Sequence, residues 1–128
     1  MEIGVIITGH GKLASGILSG VSMVIGKTAR AVAIDFEPGD NFDDLYQKYL
    51  EAYESLSSAD YVLVLADLQG GTPFNRAYLT LHKKGNVRFL SGVNFSMVYY
   101  ALSLDVDDID QMIEQIIEKT QTHILEYK

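Results

Sequence analysis

The chain has 128 residues, 48% hydrophobic and 21% charged, a composition typical of a single soluble globular domain spanning residues 1–128. Its formal net charge of −7 argues against nucleic acid as a partner, and the absence of cysteine excludes disulfides, thiolate catalysis and cysteine-bound metal. No apolar segment approaches the ~20 residues that span a bilayer, and no basic leader precedes the first apolar run, so we expect a cytoplasmic protein without membrane insertion.

The first apolar run, residues 3–7, predicts a central parallel strand, because an unbroken run of Ile and Val suits a strand buried on both faces. It ends in His10, which stands between two glycines that let the backbone turn sharply and approach a ligand closely. Apolar residues at helical spacing follow, up to a helix stop at Gly26. His10 is therefore expected at the carboxyl end of a strand, where open α/β sheets bind ligands.

The next two elements are a strand over residues 31–36 and a helix over residues 42–56. Asn41 is suited to cap this helix. An apolar and aromatic stripe, which includes Tyr49 and Tyr53, follows its length. The tyrosines are interpreted as core packing.

A third strand, residues 61–66, is apolar throughout and ends in Asp67. The loop that follows, Gly70-Gly71-Thr72-Pro73, opens a helix that runs to about Lys84. Thr72 is predicted to be its N-cap and Pro73 its first helical residue.

The remainder of the chain predicts a strand over 87–90, a loop at 92–94, a helix to about 104 and a last helix beginning at 105–108. The tail, residues 123–127, alternates weakly and predicts a short edge strand. Strands that alternate with helices require right-handed crossovers and helices on both faces of a parallel sheet. The fold class is therefore α/β, a three-layer doubly wound sheet with strand order 2-1-3-4.

This strand order makes the first and third strands neighbours, so that His10 and Asp67 meet at one crevice. A carboxylate beside a histidine accepts the Nδ1 proton and leaves Nε2 as a free lone pair. The predicted catalytic residues are His10 and Asp67.

The Gly70–Pro73 loop and the amino end of its helix predict an anion cradle built from backbone amides and the Thr72 hydroxyl. Gly11, Gly71 and Thr72 are the predicted phosphate-binding residues. A neutral imidazole facing such a cradle indicates phosphoryl transfer onto His10 Nε2. Neither a Walker lysine motif nor a carboxylate cluster is present, so no cofactor and no metal are expected.

Alternatives remain from the residues alone. Residues 9–14 match the dinucleotide fingerprint G-x-G-x-x-A with Asp35 ending the next strand, although the pattern leaves the Asp67 loop unused. A response regulator is disfavoured, because its acidic pair would follow the first strand where His10 stands. A binding module that senses a small anion in the same crevice would need no chemistry. His82, His123 and the acidic run at 105–110 predict no functional role.

Four segments resemble the mannose-family enzyme IIA domain of the bacterial phosphoenolpyruvate-dependent sugar phosphotransferase system. They are residues 6–11 (IITGHG), 35–41 (DFEPGDN), 67–75 (DLQGGTPFN) and 91–94 (SGVN), in family order along the whole chain. The resemblance implies that His10 takes a phosphoryl group from the phosphocarrier HPr and passes it to a IIB domain, which serves membrane IIC and IID components. It also implies that Asp67 orients His10 and that Gly71 and Thr72 hold the phosphoryl group.

The resemblance further implies a homodimer in which one antiparallel edge strand is exchanged, with residues 124–127 as the candidate strand. Leu68, Phe74 and Phe95 are candidates for an apolar docking rim around His10. The phosphotransfer subunit of dihydroxyacetone kinase, which resembles this fold, is an alternative. A regulatory role through a transcription factor is another. The transported sugar cannot be identified, because this subunit would handle only phosphate.

Overall fold

The computed structural model describes residues 1–128 and contains one four-stranded parallel sheet in the order β2-β1-β3-β4. The strands are β1 Ile3–His10, β2 Ala31–Phe36, β3 Tyr61–Ala66 and β4 Val87–Ser91. Both the α/β class and the predicted strand order are confirmed. The two central strands, β1 and β3, pair with each other from Ile3 opposite Tyr61 to Thr8 opposite Ala66.

Five helices cover the two faces of the sheet. They are α1 Leu13–Ile25, α2 Phe42–Ser55, α3 Thr72–Leu81, α4 Phe95–Ser103 and α5 Ile109–Gln121. Alternate residues of β1 enter different cores, because side chains of a strand leave opposite faces in turn. Val5 and Ile7 pack with α1, α4 and α5, whereas Ile6 packs with α2 and α3. Burial on both faces explains the unbroken apolar run of β1.

Several predicted helix ends are confirmed. Gly26 ends α1 at φ +85°, and Asn41 caps α2 by accepting from the Asp44 amide. The predicted end of α3 at about Lys84 is wrong by three residues. The helix α3 stops at Leu81, and residues 82–84 form a single 3₁₀ turn rather than its last turn.

The predicted N-cap of α3 is wrong by one residue. Gly71 is the N-cap, so that Thr72 and Pro73 are the first two helical residues and the Thr72 side chain makes no capping bond. The reason is a tight turn before the helix, in which Gly70 adopts φ +83° and the Gly71 amide donates to the Leu68 carbonyl at 3.0 Å.

The tail forms no strand in the single chain, so the edge strand predicted over 123–127 is absent there. A strand needs a pairing neighbour, and the tail pairs with none, while Ile124, Leu125 and Tyr127 are exposed. The exchange of this segment between two copies stays a prediction. None of the helices combines the length and the apolarity that crossing a bilayer demands.

Candidate functional site

The carboxyl ends of β1 and β3 bring His10 and Asp67 into contact, as the strand order predicts. The distance from His10 Nδ1 to Asp67 Oδ2 is 2.8 Å, and the His10 backbone amide donates to the same oxygen at 2.9 Å. The His10 side chain is 49% exposed and that of Asp67 only 15%. The imidazole is therefore held from below by a largely buried carboxylate and is open to solvent above.

The Asp67 contact defines the state of the imidazole. Burial alone would raise the pKa of the Asp67 carboxyl, but the hydrogen bonds and charge of His10 outweigh it and lower that pKa below its usual value. An ionised Asp67 accepts only, so Nδ1 carries the hydrogen and Nε2 of a neutral ring holds the free lone pair. Nε2 is thus the ring nitrogen that is free to accept a hydrogen bond or to bind a ligand.

Two glycines allow this close packing. A methyl group on Gly9 would lie 3.2 Å from the Asp67 carboxylate carbon and 2.9 Å from Leu13 Cδ2. A methyl group on Gly71 would lie 2.9 Å from His10 Cε1 and 3.6 Å from Nε2. Three of these four distances are shorter than ordinary carbon contacts, so the loop before α3 packs directly against the Cε1–Nε2 edge of the imidazole.

The Gly71 backbone packs against the imidazole, and in the first turn of α3 that follows it the Thr72 and Phe74 amides have no acceptor within the protein. The Gly11 and Gly71 amides, which the sequence predicts to bind phosphate, already donate to backbone carbonyls of the protein. Gly71 donates to Leu68, and Gly11 donates to the Phe36 carbonyl at 2.7 Å. Gly71 therefore supplies space, and Gly11 supplies a turn at φ +59°. The groups here that could bind an anion are the two amides, the Thr72 hydroxyl and the positive end of α3.

A carboxylate of the protein itself already binds at the amino end of α1. The Asp35 carboxylate accepts from the Ser15 amide at 2.9 Å and from the Ser15 hydroxyl at 2.5 Å. In a dinucleotide site this helix end would face the pyrophosphate and the acidic residue would bind the ribose. Here the two bind each other, which argues against the dinucleotide interpretation.

The sequence did not predict one pair of residues near the site, Thr8 and Tyr49. The hydroxyls of Thr8 and Tyr49 lie 2.8 Å apart beneath His10, and Tyr49 donates to the Pro73 carbonyl at 3.1 Å. Burial raises the pKa of Tyr49 to about 12; the Thr8 hydrogen bond lowers it, and the nearby Asp67 charge raises it further. The sequence signal for this pair is Thr8, a polar residue within an apolar strand, whereas the pattern of α2 predicts only that Tyr49 packs in the core.

Other predicted residues lie around or away from this centre. Leu68 is 58% exposed and Phe95 42%, whereas Phe74 is half-buried. The Phe36 ring stands edge-on to His10 with 6.2 Å between ring centroids, and it lines a shallow pocket beside it. His82 stacks on Tyr78 instead of joining the site.

Comparisons with known proteins identify the family to which the chain belongs. Residues 4–121 match the family model EIIA-man, described as "PTS system fructose IIA component". The chain is 32% identical over 120 residues to the mannose-specific EIIAB component of Escherichia coli K12, covering 92% of this chain but 37% of that protein. It is 31% identical over 102 residues to the fructose-specific EIIA component of Bacillus subtilis, covering 80% of this chain and 70% of that protein.

A solved structure shows the same fold. The mannose/sorbose-specific IIA subunit from Enterococcus faecalis superposes with a TM-score of 0.87 at 25% identity, covering 100% of this chain and 96% of that one. The present chain thus covers nearly all of that solved subunit, but it spans little more than a third of the E. coli relative.

Proposed function

We propose that this chain, which belongs to the EIIA-man family of phosphotransferase-system IIA components, is a phosphoryl carrier whose covalent acceptor is His10. The single observation that supports the proposal most is the contact between His10 Nδ1 and Asp67 at 2.8 Å, with Nε2 left open. The Gly71 backbone lies close to that nitrogen, and the unpaired amides at the amino end of α3 follow it directly in the chain. A nucleophile and an anion cradle on the two sides of one small space suit a phosphoryl group.

The proposed transfer balances without a cofactor. The Nε2 lone pair attacks phosphorus, the bond from phosphorus to the donor breaks, and the electron pair of that bond remains on the donor. His10 keeps its Nδ1 hydrogen, so the phosphorylated ring carries a positive charge beside the Asp67 carboxylate. The Thr72 and Phe74 amides offset the charge of the phosphoryl oxygens. Transfer to an acceptor reverses these steps.

The proposed donor is phosphorylated HPr, and the proposed acceptor is a IIB domain, which serves the membrane IIC and IID components. A half-exposed histidine suits a carrier that must meet two partners in turn. The exposed Leu68 beside the loop provides an apolar contact of the kind a short-lived interface uses.

We also propose a homodimer formed by exchange of the tail. The outer edge of β4 is unpaired, and a groove between β4 and α5 runs beside it. Apolar side chains line much of this groove: Phe89, Leu90, Met97, Ile113 and Ile117. A partner's residues 124–127 would cover both edge and groove. Sedimentation should give a dimer, and deletion of residues 122–128 a monomer; a dimer unaffected by the deletion would refute the exchange.

The phosphoryl-carrier proposal is tested by incubating the chain with phosphoenolpyruvate, enzyme I and HPr. The expected product is one added phosphoryl group that is labile in acid and stable in alkali, as a phosphohistidine is. His10→Ala should take up none, whereas His82→Ala, which alters an exposed histidine away from the site, should behave as wild type. Uptake by His10→Ala would overturn the assignment.

The alternative is a module that binds a small anion without chemistry, and the same unpaired amides support it. Such a module would bind inorganic phosphate in both the wild type and His10→Ala and would show no transfer with the phosphorylated donor. Covalent uptake by the wild type decides against it.

A further inference from the structure

A pair of hydroxyls, one of them on the strand that carries His10, lies buried beside the first turn of α3. Thr8 and Tyr49 are both 0% exposed, and their oxygens are 2.8 Å apart. Thr8 precedes His10 by two positions in β1, so both side chains leave the same face of the sheet. Tyr49 extends from α2 to the Thr8 hydroxyl and also donates to the Pro73 carbonyl at 3.1 Å. The strand β1 and the helices α2 and α3 are thus joined at the Tyr49 hydroxyl.

The direction of these hydrogen bonds is determined by their last member. The Pro73 carbonyl oxygen can only accept, so the single Tyr49 proton points to it. Thr8 must then donate to the Tyr49 oxygen. With a pKa of about 12, Tyr49 keeps its proton throughout the neutral range. Successive hydrogen bonds that run in one direction polarise each other, so the Thr8 bond strengthens Tyr49 as a donor.

The end of this chain of bonds is half of a peptide group in the anion cradle. The Pro73 carbonyl and the Phe74 amide belong to the same planar unit. The Phe74 amide is one of only two unpaired amides in the first turn, because Pro73 has no N–H and Gly71 donates to Leu68. A hydrogen bond to the carbonyl oxygen holds the peptide plane and makes its N–H a stronger donor.

We infer that Thr8 and Tyr49 are positioning residues for phosphoryl transfer, which orient and polarise the Pro73–Phe74 peptide so that its N–H binds a phosphoryl oxygen. The inference rests on the proposed function. A hydroxyl pair that served folding alone would affect only the free energy of unfolding. A positioning pair also changes the Phe74 amide and the rate of transfer while the docking surface, and therefore KM for phosphorylated HPr, stays the same.

The test compares Tyr49→Phe with Tyr53→Phe. Both remove one hydroxyl from α2 and keep the ring, but Tyr53 donates to Asn86 at 2.7 Å, away from His10. The first readout is the Phe74 amide proton in NMR spectra without phosphate, and the second is phosphoryl transfer from HPr. A second pair, Thr8→Val and Thr8→Ser, removes or retains the first donor of the chain.

We expect Tyr49→Phe to shift the Phe74 amide proton upfield and to lower kcat about 3- to 10-fold with KM unchanged, the size of one hydrogen bond's net contribution. Thr8→Val should change both in the same direction, Thr8→Ser should restore them, and Tyr53→Phe should change neither. An unchanged Phe74 amide or an unchanged kcat in Tyr49→Phe overturns the inference. A wild-type chain that takes up no phosphoryl group refutes the proposed function instead, and the inference with it.

Discussion

Replacing Gly71 by alanine tests how closely the loop before α3 must pack against the imidazole. Gly71 has φ −75° and ψ 164°, an extended conformation that alanine adopts without strain. Any effect of the substitution therefore comes from the added methyl group. That group would lie 2.9 Å from His10 Cε1 and 3.2 Å from the Leu68 carbonyl oxygen.

The magnitude follows from these distances. Ordinary carbon contacts are about 3.5–4.0 Å, so the ring must move by ~0.6 Å or more to relieve the contact. The 2.8 Å bond to Asp67 and the approach of Nε2 to the cradle cannot both tolerate such a shift. Since a misplacement of about 1 Å can lower a rate 10²-fold, we expect phosphoryl transfer to slow by roughly 10-fold.

Folding should be affected much less than transfer. The half-exposed ring can move outward, and an alanine also lowers the entropy of the unfolded chain, which stabilises by about 0.4–1 kcal/mol. We therefore expect the free energy of unfolding of Gly71→Ala to stay within about 1 kcal/mol of wild type.

The assay is single-turnover transfer from phosphorylated HPr, with urea unfolding measured on the same samples. Gly16→Ala is the matched control, because it adds the same methyl group to the exposed face of α1 with nothing within 4 Å. It should stabilise the fold by about 0.5–1 kcal/mol and leave transfer unchanged. Transfer at the wild-type rate in Gly71→Ala would refute the close packing of the loop on His10.

Three further predictions concern individual groups of the site. Folding lowers the pKa of Asp67, so the stability that the carboxylate contributes is fully present above its unfolded pKa of about 3.9 and is lost as pH falls through the folded pKa. In urea unfolding, the excess stability of the wild type over Asp67→Asn should therefore shrink only below about pH 4. An excess that stays constant with pH would contradict this. Burial raises the pKa of Tyr49 to about 12, so the stability that its neutral hydroxyl contributes is fully present below about pH 10. As pH rises towards 12, the free energy of unfolding should fall by roughly 2–3 kcal/mol for this reason. Tyr49→Phe should lack this fall in unfolding experiments at alkaline pH. Because Thr72 makes no capping bond, Thr72→Val should slow transfer about 10-fold with less than about 0.5 kcal/mol change in stability, whereas Thr72→Ser should retain transfer.

The sequence by itself determined the four parallel strands, their order in the sheet and the meeting of His10 with Asp67, but not the tail, for which it predicted a strand that the single chain does not form. A buried parallel strand is apolar throughout, and strand ends at one edge of a sheet must lie together, so these features follow from local pattern and topology. The contact between two residues 57 positions apart could be predicted for that reason.

Only the tertiary structure decided which groups of the site are free. Thr72 is a helical residue instead of a cap, and the Gly71 amide bonds to Leu68, because the turn closes one residue earlier than composition suggests. Tyr49 fits an apolar stripe, but its hydroxyl meets Thr8 from 41 positions away. Hydrogen-bond partners depend on loop dihedrals and on the packing of distant elements, and neither is encoded in the spacing of residue types.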